Sequence, residues 1–192
     1  MNWDRLAPEH EADFGVVLDL LLPSLRNAAD RFVILIDGGS GSGKTTLAVS
    51  LQTSLVILGQ PAQLVSLDDC YPGWGGLAEA SAIVVDDMLD PAVPGYQRWD
   101  WANERPGGWV DLDPDRPLII EGCGALTPLS AAYADLCVWV HRDPDERRDA
   151  ALARDGGAFE PHWDQWAAQE ARHWSTFRPW NLAGLVCVVG PG

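Results

Sequence analysis

Apolar residues along the chain follow two recurring patterns: short continuous runs, and longer stretches with helical spacing. Continuous β-branched and aliphatic runs are typical of strands buried on both faces of a parallel sheet. Such runs predict strands over residues 32–36, 63–67, 117–121, 136–140 and 185–189. The remaining stretches predict helices over residues 11–29, 45–58, 77–89, 144–154 and 161–176. Within the third helix, the run Ile83-Val84-Val85 leaves a strand as the alternative.

The predicted strands and helices alternate along the chain. This alternation favours a parallel sheet with helices on both faces, and 192 residues suit one domain. We therefore expect a three-layer α/β/α fold in a single domain over residues 1–192. Residues 90–116 interrupt the alternation with four prolines and three glycines, and we expect one short strand there. Ligands bind at the carboxyl ends of strands in such folds, so the loops after Ile36, Leu67 and Ile120 are the expected site.

The composition limits the partners and the location of the protein. A net charge of −15 repels nucleic acid and anionic membranes, so we expect neither as a partner. The apolar runs are too short to span a bilayer, and the start Asn2-Trp3-Asp4 lacks a signal-peptide pattern, which favours a cytoplasmic location. The four cysteines have no zinc-type spacing and are expected to be free thiols. The sequence leaves the oligomeric state open.

A glycine-rich segment follows the first predicted strand, with the sequence Gly38-Gly39-Ser40-Gly41-Ser42-Gly43-Lys44-Thr45-Thr46. It meets the pattern G-x-x-x-x-G-K-[ST], in which backbone N–H groups and a helix N-terminus face phosphates. A strand precedes the segment and an amphipathic helix follows it, which disfavours a flexible Gly/Ser turn. We therefore predict a P-loop NTPase fold in which residues 39–46 bind ATP.

Two residues of this segment have predicted individual roles. Lys44 is expected to contact the β- and γ-phosphates and to act in catalysis, and the Thr45 hydroxyl is expected to bind Mg²⁺. Lys44 is also the only lysine among 13 basic residues. A general preference for arginine explains the count, yet lysine is retained where a phosphate-binding loop needs a compact charge.

Carboxylates follow two other predicted strands. Glu121 directly follows a buried run, where a second acidic group binds Mg²⁺ in P-loop proteins; an ordinary surface acid is the alternative. Asp68 and Asp69 follow the second strand, and one of them is predicted to accept the proton of an acceptor hydroxyl. A loop-opening turn residue is the alternative for both. Asp68 is also a candidate metal ligand beside Thr45 and Glu121.

Two further segments carry candidate chemistry. Residues 142–160 are expected to form a mobile lid in which Arg154 contacts phosphates, with a solvated helix of ion pairs as the alternative. The irregular stretch 90–116, which we interpret as a substrate-side excursion, contains Tyr96, Arg98, Trp99, Asp100 and Trp101. Their rings and charge can hold a planar or hydroxylated acceptor, and a small hydrophobic cluster under a long loop is equally compatible. The tryptophans of the last helix favour a packing face.

Three segments in this order resemble the uridine kinase-like P-loop kinases, a group that includes phosphoribulokinase and bacterial pantothenate kinases. They are residues 38–46, Leu67-Asp68-Asp69-Cys70-Tyr71 and Ile120-Glu121-Gly122. The resemblance implies the nucleoside-kinase-like type of the P-loop fold. It also implies that Asp68 is the catalytic base, that Tyr71 is the motif tyrosine on the substrate side and that Glu121 is the Walker B acid. The lid pattern of the group is matched by Asp143, Asp145, Arg147, Arg154 and Asp155.

The chain departs from uridine kinases in two segments and is most similar to relatives with a Trp-Asp-Trp segment, here residues 99–101. Ala150-Ala151 occupies the place of an arginine pair in the lid helix. Gln97 follows the tyrosine that an aspartate follows in those enzymes, and Trp101 replaces a histidine of their nucleoside-binding segment.

The predicted function is Mg-ATP-dependent transfer of the γ-phosphate to a hydroxyl of a small molecule, for example a nucleoside such as uridine. The alternative is an adenine-nucleotide-binding regulatory NTPase without a small-molecule acceptor. A guanine-recognition motif Asn-Lys-x-Asp cannot occur here because Lys44 is the only lysine. The sequence leaves the identity of the acceptor and the preference for ATP over GTP open.

Overall fold

A computed structural model describes residues 11–12, 15, 31–154 and 157–190. These residues form eight strands: β1 (Glu11–Ala12), β2 (Val33–Gly38), β3 (Gln63–Ser66), β4 (Gly95–Asp100), β5 (Arg105–Asp111), β6 (Leu118–Glu121), β7 (Leu136–Arg142) and β8 (Leu185–Val189). Six of them form one sheet in the order β1-β8-β7-β2-β6-β3, and every pair in it is parallel. The two others pair as an antiparallel hairpin.

Five helices accompany the strands among the described residues: α1 (Lys44–Ile57), α2 (Leu77–Ile83), α3 (Pro128–Ala131), α4 (Pro144–Arg154) and α5 (Trp163–Phe177). A single π-helical turn, Val84–Met88, continues α2. Short 3-10 turns occur at Leu67–Asp69, Glu160–His162 and Pro179–Asn181. In the described part of the chain, no helix is both long and apolar enough to cross a membrane.

Strand β2 lies at the centre of the protein and is buried on both faces. Val33 and Leu35 belong to one apolar cluster, which contains residues of α2 and α5. Ile34 and Ile36 belong to a second cluster on the other face, which contains Leu47, Leu51 and Leu55 of α1. Because side chains alternate across a strand, this division places helices on both faces of the sheet. The predicted three-layer α/β/α fold is confirmed.

The sheet order brings the predicted site residues to one edge. Strands β6 and β7 flank β2 on opposite sides, which makes the loop after β2 a topological switch point. Glu121 at the end of β6 lies level with Ile36 of β2 and with Ser66 of β3. The carboxyl ends of these three strands are therefore neighbours.

The predicted helix over residues 11–29 is wrong at its first two residues, where Glu11–Ala12 pairs with β8 as a strand. The unpaired backbone groups of a sheet edge override local propensity there. Apart from Gly15, the rest of that prediction lies outside the described residues.

Residues 90–116 hold a two-stranded hairpin rather than one short strand. Its second strand contains Pro106, Gly107 and Gly108, which are depleted in strands, so the pairing with β4 is not visible in the sequence. A bulge between Gln97 and Trp99 shifts the register. Helix α3 was also not predicted; a capping box between Thr127 and Ser130 begins it.

Candidate active site

The glycine-rich loop joins β2 to α1, as predicted, and is tightly enclosed. Gly41 and Gly43 have φ angles of 76° and 96°, which glycine adopts at little cost. A Cβ atom on Gly38 would lie 2.5 Å from the Val140 carbonyl oxygen, and one on Gly39 would clash with the Arg147 guanidinium. The conformation of the loop therefore depends on its glycines, and β7 and α4 pack closely against it.

Lys44 is the first residue of α1 and is only 5% exposed. Burial alone lowers the pKa of a lysine, yet the surrounding acidic groups outweigh burial and raise the pKa of Lys44 well above its ordinary value. Those groups are Cys123, Glu121, Asp68 and Glu170. The ammonium group of Lys44 is therefore charged throughout the physiological pH range.

Glu121 ends β6 and is 1% exposed. Its Oε1 atom accepts hydrogen bonds from the Ser66 hydroxyl at 2.6 Å and from the Thr45 hydroxyl at 3.2 Å. Its Oε2 atom is buried and has no hydrogen-bond partner among the described residues. Burial raises the pKa of Glu121, and Lys44 partly offsets the rise. The buried Oε2 atom is therefore an acceptor that a cation can satisfy.

These oxygens fit a magnesium ion. Mg²⁺ prefers oxygen ligands and usually keeps several waters, so one carboxylate and one hydroxyl suffice when phosphate oxygens complete the shell. Among the described residues no group of three or more His, Cys, Asp or Glu side chains could hold a metal by itself. Thr45 and Glu121 match this requirement, and the supporting Ser66 hydroxyl was not predicted from the sequence.

The two aspartates after β3 lie in different surroundings. Asp68 is about half exposed, and its Oδ2 atom lies 4.0 Å from Nη2 of Arg154. The Ser66 hydroxyl accepts a hydrogen bond from the Asp68 backbone N–H at 3.4 Å and so caps the turn. Asp69 instead accepts a hydrogen bond from the Tyr96 hydroxyl at 3.5 Å. Asp68 lines a cavity beside the glycine-rich loop, and Asp69 does not.

That cavity has a volume of about 500 Å³. Its described lining is Ser40, Asp68, Tyr71, Trp74, Trp101, Arg154, Ala158, Phe159, His162 and Trp166. We call four of these residues, Trp74, Trp101, Phe159 and His162, the aromatic clasp. Trp74 is at its centre, stacked on His162 at 4.3 Å and on Phe159 at 5.4 Å, with Trp101 tilted against it at 4.9 Å. The Trp101 indole N–H donates to the Asp68 carbonyl oxygen at 2.8 Å.

Of the residues predicted to face a substrate, Asp68, Tyr71 and Trp101 line the cavity. Tyr71 is buried, and its hydroxyl donates to the Cys123 carbonyl oxygen at 2.8 Å, so only its ring is available to a ligand. Tyr96 is in the hydrophobic core, and Arg98 is exposed on the hairpin. Trp99 packs beside Gly73, where a Cβ atom would lie 3.7 Å from its ring. Of the three predicted aromatic residues of the stretch 90–116, the cavity therefore uses Trp101 and not Tyr96 or Trp99.

Of the aromatic clasp, only Trp101 was predicted as an acceptor-side residue, because the members come from three separate segments. Trp74 follows the turn after β3, Trp101 follows β4, and Phe159 and His162 precede α5. The position of Trp74, six residues after Asp68, offered a further signal in the sequence. Trp166 was predicted to belong to a packing face; it is 4% exposed in the core and also lines the cavity.

Helix α4 packs directly on the glycine-rich loop. Arg147 donates to the Ser40 carbonyl oxygen at 2.9 Å and to Glu170 at 3.3 Å, and its guanidinium lies 5.2 Å from the Trp174 ring centroid. Glu170 is 1% exposed and accepts the Ser40 backbone N–H at 2.7 Å. We call Arg147 and Glu170 the outer clamp, since they bind both backbone groups of one loop residue. Sequence reasoning did not find Glu170, which lies 130 positions from Ser40.

The contact between α4 and the loop is relevant to Ala150-Ala151, which occupies the place of an arginine pair in uridine kinases. A Cβ atom on Gly41 would clash with the Arg147 carbonyl and lie 3.1 Å from the Ala151 backbone N. Ala151 is fully buried, so a long side chain at that position has no room. Arg154 lies at the end of α4 beside Asp68, whereas Asp155 of the predicted lid pattern lies outside the described residues.

A buried carboxylate, not predicted from the sequence, anchors the start of the loop. Asp37 is fully buried and accepts hydrogen bonds from the backbone N–H groups of Gly38, Gly124 and Leu126, at 2.6, 3.1 and 2.9 Å. His173 of α5 lies 3.7 Å from its Oδ2 atom. Asp37 thus joins the loop after β2 to the loop after β6, which carries Cys123.

Comparison with solved structures finds the same fold in two proteins described as kinases. A possible uridine kinase from Bacillus stearothermophilus superposes with a TM-score of 0.60 at 21% identity, over 88% of this chain and 96% of that one. A candidate fructose transport system kinase from Silicibacter sp. TM1040 superposes with a TM-score of 0.54 at 19% identity, over 93% of this chain and 100% of that one. At these identities the likeness establishes the fold alone.

One curated protein matches a short segment of the chain. A bifunctional alpha-galactosidase/sucrose kinase of Mediterraneibacter gnavus is 56% identical over 46 residues, which are 24% of this chain. The match spans 5% of that protein's length. No protein-family model matches the chain.

Proposed function

We propose that the protein transfers the γ-phosphate of Mg-ATP to a hydroxyl group of a small molecule, as a kinase related to the uridine kinase-like group. The observation that carries this proposal is that Ser40 of the phosphate-binding loop and Asp68 line the same cavity, whose remaining wall is mostly aromatic. A protein that only binds nucleotide has no need of a carboxylate beside the loop in a cavity with room for an acceptor. The kinase fold of the solved relatives supports the same function.

The glycine-rich loop is the proposed nucleotide site. Backbone N–H groups of residues 39–46 and the N-terminus of α1 bind the phosphates, and the charged Lys44 contacts the β- and γ-phosphates. Thr45 and Glu121 would hold Mg²⁺. Asp68, whose charge acts on Glu121, is a further candidate ligand. When bound, the metal neutralises negative charge on the phosphates.

Asp68 is the proposed base of the transfer step. The acceptor oxygen forms a bond to the γ-phosphorus while the bond to the β–γ bridging oxygen breaks, and ADP leaves. The hydroxyl proton passes to the Asp68 carboxylate, which also positions the acceptor. Arg154, 4.0 Å from that carboxylate, supplies positive charge near the transferred group.

A panel of acceptors tests the proposal by ADP release together with mass analysis of the product. Uridine, fructose and sucrose belong in it because proteins similar in fold or in a segment are described as acting on such compounds. Pantothenate represents another branch of the related kinases. We expect at least one member to raise ADP release and to gain one phosphate.

Two neighbouring aspartates provide the matched variants. Asp68→Asn should lower kcat for the acceptor roughly 100-fold or more, because a positioned general base contributes about that much. Asp69→Asn makes the same chemical change outside the cavity and should leave kcat within about threefold. Equal phosphorylation by both variants rejects Asp68 as the base. Equal ATP hydrolysis with and without every acceptor favours the regulatory NTPase instead.

A further inference from the structure

The cavity that Asp68 and the aromatic clasp line, which we call the acceptor cavity, has little positive charge in its wall. Its described lining contains one permanently charged cation, Arg154, which lies beside the carboxylate of Asp68. The only lysine of the chain, Lys44, is buried at the phosphate-binding loop. His162, the other basic residue of the lining, is stacked on Trp74 at 4.3 Å. Most of the remaining wall is aromatic.

An anionic acceptor is disfavoured in such a cavity for two reasons. A phosphate or carboxylate that leaves water loses hydration, and only a cation or several hydrogen-bond donors compensate for that loss. The faces of aromatic rings carry negative potential and repel an anion. The carboxylate of Asp68 and the net charge of −15 act in the same direction.

The donors of the wall are also largely engaged within the protein. The Trp101 indole N–H donates to the Asp68 carbonyl, the Tyr71 hydroxyl donates to the Cys123 carbonyl, and the Trp166 indole N–H donates to Glu170 at 3.1 Å. What these residues offer to a ligand is therefore apolar ring surface. Apolar walls with a few polar groups at one end suit an uncharged compound that presents C–H surface and hydroxyls.

We propose that the acceptor is an uncharged, hydroxylated ring compound, of the sugar or nucleoside class, and that the cavity excludes acceptors bearing a phosphate or carboxylate. The aromatic clasp holds the ring, and Asp68 receives the hydroxyl. The inference rests on the proposed phosphotransfer, because the cavity is an acceptor site only if the protein is a kinase. Binding of neutral and anionic compounds can be measured without turnover.

The test compares matched pairs that share all ring hydroxyls and differ in charge. The pairs are uridine and orotidine, which carries an added carboxylate on the base, and methyl fructoside and carboxymethyl fructoside, which carries one on the methyl group. Binding is followed by calorimetry with Mg-ADP present, and turnover by product mass, at about pH 8 where an ordinary histidine is neutral. We expect a neutral member to bind at least roughly tenfold more tightly than its anionic counterpart.

The outcomes separate this inference from the proposed function. Tighter binding of the neutral member without phosphorylation supports the neutral cavity and rejects the kinase proposal. Equal or tighter binding of an anionic member overturns the inference, even if phosphate is transferred. Binding by none of the neutral compounds overturns it as well.

Two tryptophans of the hairpin segment give a matched test of the aromatic clasp. Trp101→Leu removes a cavity ring and its bond to Asp68, whereas Trp109→Leu changes an exposed residue whose N–H donates to Asp111 at 3.0 Å. We expect the first variant to weaken neutral-acceptor binding about tenfold, with KM for ATP unchanged, and the second to bind as the parent does. Equal binding by both variants contradicts the role of the clasp.

A positive charge introduced at the exposed cavity residue Ala158 tests whether the lack of cations in the cavity disfavours anionic acceptors. Ala158→Lys should strengthen binding of the anionic member of a pair several-fold, and Ala158→Met, of similar length but neutral, should not. The inference fails if both variants bind the anionic member equally.

Discussion

Glu121 illustrates how burial at a single residue prepares a function. One of its oxygens is held by the hydroxyls of Ser66 and Thr45, and the other is buried without a partner among the described residues. A carboxylate in this state is costly in the protein alone, because its charge is only partly compensated. A bound cation would remove that cost, so we expect Glu121 to be stabilised most in the nucleotide complex.

This residue predicts a pH dependence for the metal requirement. Burial raises the pKa of Glu121, and a metal ligand must be deprotonated, so Mg²⁺ binding should weaken as the pH falls toward the raised value. The Mg²⁺ concentration that gives the half-maximal rate should therefore be higher at about pH 5.5 than at about pH 7.5. Glu121→Gln should need more Mg²⁺ at both values and show a weaker pH dependence. If the parent protein needs the same Mg²⁺ concentration at both pH values, the assignment of Glu121 as a metal ligand is contradicted.

The cysteines give a second prediction at this scale. All four are buried, and burial raises the pKa of Cys70 and Cys123 to about 12 and that of Cys137 to about 11. Since the thiolate is the reactive form, the folded protein should react with less than about one equivalent of a thiol reagent at about pH 8. The unfolded protein should react with four equivalents. Rapid labelling of the folded protein would show that a cysteine is accessible.

At the scale of elements, α4 and α5 hold the phosphate-binding loop from outside. Arg147 of α4 and Glu170 of α5 bind the carbonyl and the N–H of Ser40, and they bind each other. Their side chains are 11% and 1% exposed, so the pair is well shielded from solvent. The same two helices also supply Arg154 and Trp166 to the cavity. The loop and the cavity are thereby positioned by common elements.

The outer clamp predicts an effect on nucleotide binding rather than on the acceptor. Arg147→Met leaves the buried Glu170 carboxylate without its ion-pair partner, which should cost about 3–5 kcal/mol and raise KM for ATP about tenfold or more. KM for the acceptor should change little, because Arg147 does not line the cavity. Arg148→Met, an exposed neighbour on the same helix, is the control.

A double variant distinguishes the clamp from a general loss of stability. Glu170→Gln keeps an acceptor for the Ser40 N–H and removes the unpaired charge, so the double variant Arg147→Met/Glu170→Gln should have a lower KM for ATP than Arg147→Met alone. Additive increases in KM would show that the two residues act independently.

The sequence predicted those strands and loops whose structure is determined by a local pattern of residues. The strands around residues 33–38 and 118–121 are continuous apolar runs, and the loop between β2 and α1 carries its own motif. The hairpin strands and β1 depend on pairing partners far along the chain, which local propensity does not reveal. The same limit explains why the sequence predicted Asp68 and Glu121 as neighbours at one sheet edge, but indicated only Trp101 of the aromatic clasp, which is assembled from three segments.

At the scale of the whole molecule, binding and folding are coupled. The phosphate-binding loop is joined through Asp37 to the loop after β6, and through the outer clamp to α4 and α5. A nucleotide bound to the loop thus stabilises most of the sheet edge. Any ligand that binds only the folded state raises its stability by mass action.

This coupling predicts a thermal shift. At about 100 times its Kd, Mg-ATP should stabilise the protein by about 2.7 kcal/mol, which for a chain of this length raises Tm on the order of 5–10 °C. Differential scanning calorimetry with and without Mg-ATP measures it. Lys44→Met should abolish the shift, since it removes the one lysine at the phosphates. A shift of equal size in that variant would place the nucleotide elsewhere.

The contact between Gly39 and Arg147 has a consequence for evolution. Any side chain at position 39 would occupy the space of the guanidinium, so Arg147 would have to shift from its present contacts with Ser40 and Glu170. Among relatives of this chain, a serine or alanine at position 39 should be accompanied by a smaller residue at position 147. The pair can therefore serve as a marker that separates lineages with this packing from those in which the helix lies further from the loop.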